Sequence, residues 1–226
     1  MTAVIAHRGA SRVERGNTVA AFERAVQLGC DGIELDVRRT ADGLLVVHHD
    51  AAVPDGRLIV ETPRKHLPLY VPTLAEALDA CAGAWVNVEI KNDPGEPDFD
   101  PDEAVVEGVL AELEHRGADA GPWLVSSFRL ETVDRCRALG PNVPTAWLVF
   151  EIGPDVPGLL AERGHAAVHP WVDALTADAV ARSHDAGLAV NTWTCNDPTR
   201  ARALARWGID GICTDVPGVL RDALGP

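Results

Sequence analysis

Three stretches of this sequence place ionisable side chains where a buried strand normally carries Val or Ile. "GIELDVRRT" (32–40) holds Glu34 and Asp36 two residues apart. In a strand that spacing points both to one face, with roots about 7 Å apart, while Ile33, Leu35 and Val37 take the other. "WVNVEIKN" (85–92) holds Glu89 and Lys91 in the same relation. Two carboxylates on one face repel each other unless a cation neutralises them. An all-oxygen set of Glu34, Asp36 and Glu89 suits a hard divalent ion, Mg²⁺ or Ca²⁺. The alternative for the pair alone is a water-facing one, paired with Arg38 or Arg39.

"AHRGA" (6–10) adds His7 and Arg8. A lone His on an apolar strand is either a satisfied core or capping residue or a proton carrier. Arg8 has no acidic neighbour in sequence, and its planar guanidinium suits a phosphoryl group. Gly9 lets the backbone turn close to a ligand. "VVHHD" (46–50) supplies His48 and His49, which point to opposite sides, so one of them faces the site; the spacing leaves open which. Two imidazoles on opposite sides of a phosphorus suit general acid–base transfer near neutral pH.

These stretches belong to a regular alternation of β-rich runs and helical patterns. Within 17–29, Val19, Phe22 and Val26 recur at helical spacing before Gly29. An Asp42-Gly43 turn joins 32–40 to 44–50 as a hairpin. Asp197 and Pro198 read as the N-cap and first residue of a late helix. Counting the hairpin as one unit gives eight strand–helix units. Strands this apolar need cover on both faces, so they are parallel with helical crossovers. Eight such units predict a (β/α)8 TIM barrel over 1–226 as a single domain, with a short β-hairpin after strand 2. The runner-up, an open doubly wound sheet, lacks a GxGxxG after the first strand. Barrel chemistry sits at the C-terminal strand ends, where His7, Arg8, Glu34, Asp36, Glu89 and Lys91 fall. Ser127, His169, Trp193, Asn196 and Asp215 also fall near strand ends.

The 226 residues are 46% hydrophobic, enough for a sizeable core. With 34 acidic against 20 basic residues the net charge is −14, which disfavours nucleic acid and anionic membranes as partners. An anionic small molecule would need a local cationic site. The five cysteines are odd in number and include no CxxC, which predicts a reducing compartment. No transmembrane run or signal peptide is legible, so the expected protein is cytoplasmic, without stable membrane insertion.

The strings "HRGA", "NTVAAFERAVQLGCDGIELDVRRTADGLLVVHHD", "PTLAEAL", "NVEIK", "SSF", "NTWTCN" and "GIDGICTDVPG" run in order over nearly the whole chain. Together they resemble the glycerophosphodiester phosphodiesterases. The resemblance implies a TIM barrel, a divalent metal (Mg²⁺ or Ca²⁺), and hydrolysis of a small-molecule glycerophosphodiester to glycerol 3-phosphate and an alcohol. By position it implies Glu34, Asp36 and Glu89 as metal ligands, His7 and His49 as the acid–base pair, and Arg8 and Lys91 as phosphate contacts. Two departures stand out. The family pattern Glu-Asn-Thr before the first helix is Gly16-Asn17-Thr18 here, which removes a carboxylate near the metal unless Glu14 replaces it. The insertion after the His-Asp element is reduced to 51–72, which reads as a loop and a more open entrance.

Phe128, His169 and Trp193 are candidates for the substrate pocket, Trp193 ahead of Trp171. Asp215, before Val216-Pro217, reads as a helix N-cap. Cys195 and Cys213 read as small core residues. The run 92–102 reads as a solvated acidic loop after the metal-site strand, with gating as the alternative. Two other functions compete: hydrolysis of lysophospholipids in the phospholipase D manner, and a non-catalytic binding barrel. The first needs an apolar channel or interfacial surface, and no basic amphipathic helix is legible. The second would be signalled by loss of a His or a metal ligand, and all are present.

Overall fold

Within β2 (Gly32–Arg39) apolar and ionisable residues alternate over 33–38, and within β4 (Trp85–Ile90) apolar and polar residues alternate over 86–90. Ile33, Leu35, Val37, Val86, Val88 and Ile90 all enter one outer hydrophobic layer with Phe22, Leu74 and Val109. Glu34, Asp36, Asn87 and Glu89 of the same strands are therefore turned to the inside of the sheet. The computed structural model describes residues 1–117 and 122–225.

The remaining strands are β1 (Ala3–His7), β3 (Leu45–Val47), β5 (Trp123–Ser127), β6 (Thr145–Val149), β7 (Ala167–Pro170), β8 (Ala189–Thr192) and β9 (Gly211–Thr214). Their order is β1-β9-β8-β7-β6-β5-β4-β2, and β1 also pairs with β2. All of these pairings are parallel, so eight strands close on themselves. This is a (β/α)8 TIM barrel, and the closing β1–β2 pairing rules out the open sheet. β3 lies outside it, antiparallel to β2, as the hairpin predicts.

Among the described residues, eight α-helices cover the outside: α1 (Val19–Gln27), α2 (Leu74–Ala80), α3 (Ala104–Arg116), α4 (Leu130–Leu139), α5 (Val156–Arg163), α6 (Ala177–Asp185), α7 (Pro198–Arg206) and α8 (Pro217–Leu224). Local chemistry sets their starts. Thr18 caps α1, Thr73 and Glu76 form a capping box on α2, and Asp197 caps α7 ahead of Pro198. The helices of the second half pack around Leu160, Val180, Leu204, Ile212 and Leu220. No described helix is long and apolar enough to cross a membrane.

Two connections differ from expectation. Residues 51–72 are a loop, as expected, but a packed one. Val53, Ile59, Leu67 and Val71 form a small core with Val46, and a 3₁₀ turn covers Arg64–His66. The run 92–102 is acidic but not merely solvated. Asn92 is buried and donates to Glu103 and to the Asp100 carbonyl, and Asp98 pairs with the fully buried Arg38. Asp98 and Glu96 meet the buried Arg38, while Asp93 and Asp102 stay exposed.

Candidate active site

Strand register assembles the charged residues at the C-terminal rim of the barrel. Glu34 is level with His7 on one side and Asn87 on the other. One layer higher, Asp36 is level with Glu89, and Glu89 with Ser126. Carboxylates two apart in β2 therefore meet a third carboxylate from the adjoining strand. One oxygen from each of Glu34, Asp36 and Glu89 lies within 4.8 Å of the others, and all three residues are buried.

The first turn after β1 closes this group from above. Arg8 and Gly9 both adopt left-handed backbone conformations, with φ of 57° and 79°. At Gly9 a Cβ would lie 2.6 Å from the Ala21 backbone, so only glycine fits. That turn aims the Arg8 N–H at Glu34 Oε2, 2.9 Å away, and sets Arg8 Nε 3.2 Å from Asp36 Oδ2. Asn17, itself left-handed at φ 58°, donates Nδ2 to the same Asp36 oxygen at 2.7 Å. Lys91 Nζ lies 3.1 Å from Asp36 Oδ1 and 2.6 Å from Glu89 Oε1. Glu34 and Asp36 are buried, and Arg38 and Arg39 pair with Glu96, Asp98 and Asp100 instead, so the water-facing alternative for that pair does not hold.

The electrostatics of the triad is uneven. Burial and the neighbouring Asp36 push the Glu34 carboxyl up to about 8. Burial also raises Glu89, against the pull of Lys91. Burial opposes charge on Asp36 too, but Lys91 and Arg8 outweigh it and hold Asp36 well below the usual carboxylate range. Among the described residues, the buried Glu34 Oε1 has no hydrogen-bond partner. Three hard oxygen donors, one of them unsatisfied and held back from ionising, fit a small divalent cation and could hold one. Glu14 does not join them. It is exposed and lines an outer hollow with Leu69 and Tyr70.

Two imidazoles flank the group, each backed by a carboxylate. His7 Nδ1 donates to Asp215 Oδ1 at 2.6 Å, and His49 Nδ1 donates to Asp50 Oδ1 at 2.6 Å. Both rings line the same inner cavity. Burial opposes charge on His7, but the Asp215 hydrogen bond and the Glu34 charge outweigh it and raise its pKa. Burial lowers His49, with Lys91 and Arg8 adding to the effect against Asp36. His48 faces a different, outer cavity and bonds the Asp50 carbonyl.

Asp215 corrects the reading of it as an N-cap. It makes no cap bond to α8, and Val216 occupies the cap position. Instead Asp215 accepts from His7, Ser11 and Asn196 Nδ2, the last at 2.7 Å, and its carboxyl falls to about 2, chiefly through the His7 bond.

The inner cavity, of about 220 Å³, is lined by all of the expected pocket residues. Phe128 and Trp193 meet edge to face at 5.2 Å, and Phe150 joins them at 5.6 and 5.8 Å. Trp193 Nε1 donates to the His169 carbonyl. His169 lies on the floor, where Asn191 Nδ2 donates to its Nε2 at 3.0 Å and burial lowers its pKa to about 3. Phe150, Asn87 and Asn191 also line the cavity, and sequence reasoning did not single them out. Cys195 is a buried core residue as expected, whereas Cys213 also reaches the cavity wall.

The rim of this TIM barrel brings together a carboxylate triad, two imidazoles backed by carboxylates, a guanidinium and an ammonium, groups suited to phosphoryl chemistry. Residues 7–219 match the glycerophosphoryl diester phosphodiesterase family. A glycerophosphodiester phosphodiesterase of Caldanaerobacter subterraneus is 30% identical, covering 97% of this chain and 96% of that one. A phosphodiesterase of Oleispira antarctica, solved with the product sn-glycerol-3-phosphate, superposes with a TM-score of 0.91 at 27% identity, covering 99% of this chain and 97% of that one. A glycerophosphodiester phosphodiesterase of Agrobacterium tumefaciens superposes at 0.80 with 25% identity over the full length of both chains. This chain belongs to the glycerophosphoryl diester phosphodiesterase family.

Proposed function

We propose that the barrel, as one domain over 1–226, hydrolyses glycerophosphodiesters to glycerol 3-phosphate and an alcohol, with metal-dependent, paired-histidine chemistry. One observation supports this most. The buried oxygens of Glu34, Asp36 and Glu89 converge within 4.8 Å beside two imidazoles that open on one cavity.

Glu34, Asp36 and Glu89 would hold the divalent cation, Mg²⁺ or Ca²⁺. When bound, such an ion polarises phosphoryl oxygens and stabilises the charge that develops on them. Arg8 and Lys91 hold the phosphoryl oxygens and supply the positive potential that an anion needs in a chain of net charge −14. Asp215 and Asp50 each take the Nδ1–H of their histidine, which leaves each Nε2 free to exchange a proton. One imidazole removes the proton of the attacking oxygen, and the other returns a proton to the leaving alkoxide. Phe128, Trp193 and His169 wall the glycerol arm and keep water from its flank.

The test is release of glycerol 3-phosphate from glycerophosphocholine and glycerophosphoethanolamine by purified protein. Release that stops in EDTA and returns with Mg²⁺ or Ca²⁺ is expected. No release with either ion, or release indifferent to EDTA, contradicts the proposal.

A further inference from the structure

His7, Arg8 and His49 form a wall shared by two cavities. The inner one is the pocket described above. The outer one, of about 490 Å³, lies between the turn after β1 and the end of the hairpin. Arg12 and Arg15 line it in addition to Arg8.

Its charge is unbalanced. The two acids on its wall, Asp50 and Asp215, are each engaged by an imidazole at 2.6 Å. Among the described residues neither Arg12 nor Arg15 has a carboxylate within ion-pair distance, although acids outnumber bases 34 to 20 in the chain. Arg15 lies 3.7 Å from the Tyr70 ring centroid, which steadies the guanidinium while leaving its N–H edge open. Gly16 also lines the cavity. A Cβ there would come 3.2 Å from Arg8 Cβ and 3.3 Å from Ser11 Cβ, so the position borders the cavity and adds no carboxylate to it.

A phosphodiester at Arg8 and Lys91 has two arms. The inner cavity is small, aromatic-walled and floored by Asn87, Asn191 and His169, which suits the glycerol arm. The leaving alcohol then enters the larger outer cavity. We propose that this cavity is a leaving-alcohol subsite that selects alcohols bearing their own anion, a carboxylate or a second phosphate, through Arg12 and Arg15. Guanidinium forks pair with both groups and repel a trimethylammonium or ammonium head. The proposal rests on the phosphodiesterase reading above.

The experiment compares kcat/KM at low salt for three diesters of glycerol 3-phosphate. Their alcohols are choline, glycerate (the carboxylate arm) and glycerol 3-phosphate (the second-phosphate arm). At least one anionic arm should exceed choline about tenfold or more, with the ratio shrinking as NaCl rises. Arg12→Gln with Arg15→Gln should bring the ratio near one. Arg202→Gln with Arg206→Gln, the same charge change at exposed positions on α7, should leave it standing. Choline turned over as well as both anionic arms, or a ratio untouched by the Arg12 and Arg15 changes, overturns the subsite while leaving the phosphodiesterase reading intact. Turnover of none of the three diesters overturns that reading and this one with it.

Discussion

Arg38, fully buried, donates Nε and Nη2 to the carbonyl of His49 at 2.8 and 2.6 Å. Its Nη1 meets Asp98 at 2.5 Å, and Glu96 lies 2.6 Å from Nη2. The guanidinium thus ties the backbone that carries the His49 imidazole to the loop after β4. A lysine can keep the charge but not the fork. Arg38→Lys should lower kcat by about 10²-fold with little change in KM, because the ring is misplaced while the binding groups remain. Arg38→Met leaves the Asp98 carboxylate buried without its cation and should cost about 3–5 kcal/mol in denaturant unfolding. An unchanged kcat in Arg38→Lys would remove Arg38 from the positioning of His49.

Asp215 acts on His7 from behind. Asp215→Asn keeps the shape but weakens the charged hydrogen bond that, with the Glu34 charge, raises the His7 pKa. The pH limb belonging to His7 in kcat/KM should move to lower pH, and kcat should fall by about 10²–10⁴-fold. Stability should change little, since Asp215 is partly exposed. A pH profile that does not move would show that His7 does not work through this carboxylate.

His169 gives a test in stability rather than rate. Its folded pKa is lowered to about 3, whereas an imidazole in the unfolded chain titrates at about 6.5. Between those values the unfolded state binds the extra proton, so stability is present above the upper value and is lost as pH falls through the window. Between pH 6.5 and 4.5 the wild type should lose up to about 2–3 kcal/mol on this account. His169→Gln, which keeps an acceptor for Asn191, should be less sensitive to pH by that amount. Equal pH slopes in the two proteins would mean that His169 is not held neutral.

The sequence made much of this legible, for a geometric reason. Period-two alternation in β2 and β4 assigns Glu34, Asp36, Glu89 and Lys91 to the inside without knowledge of any contact. The barrel follows from counting units whose strands need cover on both faces. Long-range pairings were not legible. Asp215 stands just before Pro217 in the spelling of a helix start, but its partner His7 is 208 residues away. Arg38 sits beside Arg39 like a surface pair, and its partner Asp98, 60 residues on, looks solvated in a run of acids and prolines. Residues 51–72 carry several prolines and read as loop, whereas spaced apolar residues close a core that alternation cannot detect. Phe150 lies one residue past β6, where periodicity no longer assigns a face.

The central claim is that three carboxylates from β2 and β4 share one cation. Crystals grown with Mn²⁺, a stand-in for Mg²⁺ that scatters anomalously, test it most directly. One anomalous peak per chain is expected, at about 2.0–2.6 Å from an oxygen of each of Glu34, Asp36 and Glu89. A peak elsewhere on the chain, or none while the three side chains remain in place, would contradict it.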